Sequence, residues 1–166
     1  MSGLAIVRAT MLTSTALWAL AEVLKVRRPH AVEPARRTWT AAVALAVLHA
    51  VTAFGVSHDW SHAAAVEDTA RRTAAVTGLA WGGGLFVNYL FLGLWLVDAA
   101  WWWVDAGGYL RRSLRIERAR AALFVFIFLN GAIVFASNTA RVVGIPAVAA
   151  VCTAWTLGVR RHPARA

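Results

Sequence analysis

The chain has 166 residues, 60% of them hydrophobic and 15% charged, with seventeen Lys and Arg against eight Asp and Glu, a net charge of +9. Apolar content this continuous excludes an ordinary soluble domain and makes an integral membrane protein the expectation. The positive charge lies in short clusters between apolar runs, as the positive-inside rule produces, so nucleic acid is excluded as its partner, and the lone Cys152 excludes an intramolecular disulfide.

The first expected span is Leu4 to Val26, with Arg8 near one end and Glu22 and Lys25 near the other. Ala19-Leu20-Ala21 inside it has the form of a signal-peptide cleavage site, a rival reading that topology decides below. A polar linker follows, carrying Lys25, Arg27, Arg28, Arg36 and Arg37, in which Pro29 and Pro34 are expected to stop the helix. The second span is Trp39 to Val56, with His49 near its middle. Residues 59–77 are too polar to cross and predict an amphipathic helix at the surface, capped by Asp59 or Ser61 and ended by Gly78.

The third span, Trp81 to Trp103, contains Asn88 and Asp98 and ends in Trp101-Trp102-Trp103, an interfacial anchor. Trp81, Asn88, Trp95 and Trp102 recur every seven residues and so share one stripe of the helix. The polar groups need partners, which makes this stretch the expected centre of the bundle. An Arg-rich loop with Arg111, Arg112, Arg115, Arg118 and Arg120 leads to a fourth span, Ala121 to Ser137, with Asn130 near its centre. Asn138 to Arg141 read as a polar turn before a fifth span, Val142 to Val159, with Pro146 in its first turns.

Orientation follows from charge. The linker after span one, the loop after span three and the C-terminus hold thirteen of the seventeen Lys and Arg. Five spans with the N-terminus outside put all thirteen in the cytoplasm, whereas cleavage after Ala21 would translocate the two largest basic clusters. The expected fold class is therefore an all-α integral membrane protein of a bacterial-type inner membrane, a single domain with five transmembrane helices and one outer amphipathic helix.

Three constellations carry possible chemistry. His49, Asn88, Asp98 and Asn130 are polar groups within spans, and such groups mark a ligand or proton pathway or else fix packing by interhelical hydrogen bonds. Asp98 lies about 9 Å inward of the middle of its span, with Arg111 and Arg112 close enough in the chain to reach back to it. His58 and His62, four residues apart with Glu67 and Asp68 nearby, have a spacing that metal sites use, although each acid also precedes an Arg by four residues as in a surface ion pair. A haem would need axial ligands at compatible depth, and His49 is the one His inside a span.

In size and Trp content the chain superficially resembles the tryptophan-rich translocator proteins. That family's Trp-Pro-Pro motif is absent, since none of Pro29, Pro34, Pro146 or Pro163 adjoins a Trp, and no residue is carried over. The leading expectation is a small-molecule- or ion-handling membrane protein, or a subunit of a larger membrane complex or homo-oligomer. The alternative is a metal- or haem-dependent membrane enzyme or redox subunit using His49, His58 and His62.

Overall fold

Among side chains that lipid can surround, backbone N–H and C=O groups must bond within their own segment, so the apolar runs fold as helices. The computed structural model describes residues 2–28, 32–135 and 138–161. In them are α1 (Gly3–Arg27), α2 (Val32–His58), α3 (His62–Thr77), α4 (Gly84–Val104), α5 (Ala106–Leu110), α6 (Leu114–Leu129) with a π-helical turn (Asn130–Val134), and α7 (Asn138–Arg161). There is no strand among the described residues. Four helices are long and apolar enough to cross a membrane: α1, α2, α4 and, within α7, Ala140–Leu157.

The stretch expected as the fourth span is not among these four. The first two turns of α6, Leu114 to Arg120, carry three Arg and one Glu, so only nine apolar residues precede the π-helical turn. Asn130 causes that turn locally. Its Nδ2 donates to the Phe126 carbonyl at 2.7 Å, and Phe135 N–H reaches five residues back to the Asn130 carbonyl at 2.9 Å. Ala136 and Ser137 lie outside the described residues.

Two proline expectations also change. Pro34 does not stop α2 but sits in its first turn, where a missing N–H leaves no intrahelical bond unmade. Because α7 begins at Asn138, Pro146 falls in its interior rather than its first turns.

The centre of the bundle is α1 rather than α4. It packs along both α2 and α7, and its buried face is built from small and hydroxyl residues: Thr10, Ser14, Thr15, Ala19 and Ala21, together with Trp18. Opposite lie Ala35, Ala42 and Val43 of α2, so the two backbones approach closely. Ser14 Oγ donates across the gap to the Ala42 carbonyl at 2.8 Å. The helix α4 begins at Gly84, which leaves Trp81 before it and 56% exposed, and the rest of the seven-residue stripe divides at mid-helix: Trp95 and Trp102 are buried, whereas Asn88 is exposed.

A short aromatic core fills the space between α1, α2, α4 and α6. Trp18 stacks on Phe128 at 4.1 Å, and Phe124 is surrounded by Phe91 at 4.9 Å, Trp39 at 5.0 Å and Trp95 at 5.1 Å. The carboxyl ends of α1, α4 and α7 meet the amino ends of α2 and α6 at one pole, so these five rods alternate in direction.

At the other pole the α2–α3 turn passes through left-handed Asp59 (φ 47°) and Trp60 (φ 61°). Ser61 then caps α3 by accepting from Ala64 N–H at 3.2 Å, and left-handed Gly78 (φ 78°) ends it. From there the chain returns so tightly to α4 that a Cβ on Gly82 would meet the Val66 carbonyl oxygen at 2.7 Å.

This close approach makes a test. Gly82→Val should force α3 off the start of α4 and destabilise the protein by about 1–3 kcal/mol, the usual cost of overpacking. Gly93→Ala, in α4 with no atom within 4 Å of the added carbon, should leave the melting temperature unchanged or slightly higher. Thermal unfolding in detergent with limited proteolysis of α3 compares the two.

Candidate functional site: a buried charge ring

Where the five rods meet, six charged side chains and one tyrosine close into a ring. α1 supplies Glu22 and Lys25 one helical turn apart, with Lys25 Nζ donating to Glu22 Oε1 at 3.1 Å. Arg120 of α6 makes a fork on the same carboxylate, Nη1 to Oε1 at 2.8 Å and Nη2 to Oε2 at 3.3 Å. Arg120 Nη2 also donates to Glu117 Oε1 at 2.5 Å, one turn earlier in α6. Arg112 bonds Glu117 through Nε at 2.5 Å and reaches Asp98 Oδ1 of α4 at 2.9 Å. The Tyr109 hydroxyl donates to Asp98 Oδ2 at 3.0 Å, and Lys25 Nζ lies 3.5 Å from that hydroxyl, which closes the circuit.

Local structure explains how the residues get there. Asp105 ends α4 and caps α5 by accepting from Gly108 N–H at 2.8 Å. That single turn swings Tyr109 back under α4, where its ring stacks on Trp102 at 4.5 Å and 9°. The chain then passes Arg112 and restarts at Ser113, whose Oγ accepts from Ile116 N–H to begin α6. With α6 starting there, Glu117 and Arg120 share the face that meets α1. Of the two arginines expected near Asp98, Arg112 makes the pair, while Arg111 folds over Gly107 on the exposed side of α5.

The ring is balanced and largely dry. Three cations alternate with three carboxylates; Glu22 is 1% exposed, and the Arg112 and Arg120 side chains are buried. Water reaches it chiefly at Glu117, whose side chain is 36% exposed, and at the 16% exposed Lys25. Burial pushes the Glu117 carboxyl up, but the Arg120 guanidinium beside it wins, with help from Arg112, and holds it below its ordinary value. Burial and the Asp98 charge raise the Tyr109 phenol well above its ordinary value, so it serves only as an O–H donor. Above the ring, Lys25 Nζ sits 3.7 Å over the Trp39 ring and 5.0 Å from that of Trp102, with Trp155 Nε1 donating to Glu22 at 3.3 Å. The result is an aromatic and carboxylate cage around one ammonium. The indole N–H groups of Trp18, Trp39, Trp95 and Trp102 are buried without a hydrogen-bond partner among the described residues, so these rings contribute their faces and not their donors.

Of the intramembrane polar set, Asp98 alone belongs to this ring. His49 lies nearer the opposite pole, half-buried, with Nδ1–H donating to the Val7 carbonyl at 2.9 Å. Asn130 bonds its own helix, and Asn88 is exposed on α4, so the structure does not bring these three together with Asp98. His58 ends α2 beside Phe54, while His62 opens α3 between Phe86 and Tyr89. The turn at Asp59 and Trp60 thus puts the two imidazoles on different helices. Glu67 stays on α3, and Asp68 pairs with Arg71 and Arg72. Among the described residues no group of three or more His, Cys, Asp or Glu is placed to hold a metal ion. Comparison of the chain with protein-family models, with curated proteins and with solved structures returned no match.

Breaking one member of a buried pair leaves an uncompensated charge, at a cost of about 3–5 kcal/mol, whereas replacing both members with apolar groups costs far less. Arg120→Met should therefore lose about that much stability, and Glu22→Met combined with Arg120→Met should recover most of it in thermal unfolding. Asp98→Asn, which keeps an acceptor for Tyr109, should cost only about 1–2 kcal/mol. The depressed Glu117 carboxyl adds stability that is complete above the unfolded carboxylate value and is lost as pH falls through the folded one. Glu117→Gln should accordingly flatten the acid limb of the stability profile.

Proposed function

We propose that this is a non-catalytic, multi-pass protein of a bacterial-type inner membrane that binds a small organic cation in the ring, in exchange for the Lys25 proton. The observation that carries this reading is the cage itself: an ammonium held over Trp39 and Trp102 against Glu22, inside a ring whose charges balance only when that ammonium is present.

Arginine stays charged when buried, but a lysine can surrender its proton. With neutral Lys25 the ring retains two guanidinium groups and three carboxylates, a net charge of −1. A monovalent cation then restores neutrality, and aromatic faces are the surfaces that hold an organic ammonium. One proton leaves for each cation bound, by way of the exposed edge of Lys25.

The accompanying topology has five crossings with the N-terminus outside, α6 with its π-helical turn being the fourth in chain order. The thirteen Lys and Arg of the first linker, the Arg-rich loop and the C-terminal stretch support it. Lipid is the partner of the exposed apolar side chains of α4, Leu90 and Val97 among them.

Two experiments test the reading. Tetramethylammonium binding, followed by tryptophan fluorescence, should tighten as pH rises from 6 to 9. Lys25→Gln should bind equally at both pH values, and Lys25→Arg should not bind. Binding that ignores both substitutions defeats the proposal. For topology, single cysteines placed at exposed Ala75 and Leu110 in a Cys152→Ala background should label differently with a membrane-impermeant thiol reagent. Ala75→Cys should react in intact cells and Leu110→Cys only after lysis; the reverse pattern defeats the orientation.

A further inference from the structure

Away from the ring, near the opposite pole, a partly open pocket of about 140 Å³ lies where α1, α2, the π-helical turn and α7 converge. Val7, Met11, Leu12, Gly131 and Ala140 make its walls almost wholly carbon, and His49 closes one side. The His49 Nδ1–H is committed to the Val7 carbonyl, so the imidazole adds no charge-seeking donor to the cavity. At its mouth is Arg8, exposed and without a hydrogen bond or ion pair to any described residue. The Arg8 backbone lies about 7.5 Å along α1 from Gly3, close enough to the helix end for the side chain to snorkel into a headgroup layer.

An apolar slot beneath an unpaired guanidinium at membrane depth is complementary to one kind of molecule. The phosphate of a lipid satisfies the guanidinium, and a length of its acyl chain fills the slot. The volume is near the ~150 Å³ of a dry apolar cavity that takes benzene, room for a short run of methylenes and not for a headgroup. Gly131 of the π-helical turn forms one wall, where the nearest atom to an added Cβ is Met11 Cε at 3.5 Å. From these features we infer a binding site for an anionic phospholipid, with its phosphate on Arg8 and an acyl chain against Met11, Gly131 and Ala140.

The test counts lipid retained per chain after the full-length protein is equilibrated with micelles of equimolar phosphatidylglycerol and phosphatidylcholine. Wild type should keep about one phosphatidylglycerol through gel filtration. Arg8→Gln should lower the preference for phosphatidylglycerol about tenfold, and Arg8→Lys should restore part of it. Ala140→Phe, which fills the slot, should lose retained lipid of both kinds. Glycerol phosphate, the anion without chains, should not compete. Equal retention of the two lipids by wild type, an unchanged preference in Arg8→Gln, or displacement by glycerol phosphate overturns the inference. Arg8→Gln lies at an exposed position, so it answers the question even if Ala140→Phe fails to fold.

Discussion

The forked contact between Arg120 and Glu22 is the interaction on which the ring's pole of the bundle depends. It joins the central helix α1 to α6, whose other contacts with α1, α2 and α4 are aromatic, and it does so at a depth where neither charge is solvated. Removing two such ions from water costs several kcal/mol each, and their mutual attraction offsets this only when the remaining donors and acceptors are also met. The other five ring members meet that condition. Glu117 and Arg112 take the outward side of Arg120, Lys25 and Trp155 take the free edges of Glu22, and Asp98 with Tyr109 completes the circuit.

A network of this kind is stiff because it is complete. Each cation touches two acceptors on different elements, so moving α6 or α5 alone breaks several charge-assisted bonds together. The aromatic layer above it has the opposite character, with large rings that bring area and shape but leave four indole donors unmatched. Between the two layers lies Lys25, the one ring cation that can surrender its proton, since a guanidinium stays charged when buried. Its protonation therefore decides whether the ring is neutral or anionic.

Much of the fold is legible in the amino-acid sequence because lipid forces apolar runs into helices. The runs that became α1, α2, α4 and α7 announce themselves by length, and Ser61 and Gly78 mark the ends of α3 through ordinary capping chemistry. The ring is far less visible. Glu22 with Lys25 and Glu117 with Arg120 look like ordinary pairs at span ends, and Arg-rich loops look like topology signals. The clue available was Glu22, a carboxylate one turn inside an apolar span. Only the turn of α5, set by Asp105 capping Gly108, brings Tyr109 and Arg112 back to Asp98, and nothing in periodicity foretells a five-residue helix. The seven-residue stripe on α4 misleads for a related reason. Periodicity defines a face along the whole helix, but neighbours cover only the half that holds Trp95 and Trp102. The π-helical turn arises from one asparagine side chain competing for a backbone carbonyl, a contest that hydropathy does not register.

The proton count tests this account most directly. Calorimetric titration of tetramethylammonium into the purified protein, in two buffers of different ionisation enthalpy at pH 7, reports the protons released per cation bound. A ring held neutral by Lys25 predicts a release approaching one proton in the wild type and none in Lys25→Gln. Binding with no proton released by the wild type would contradict it.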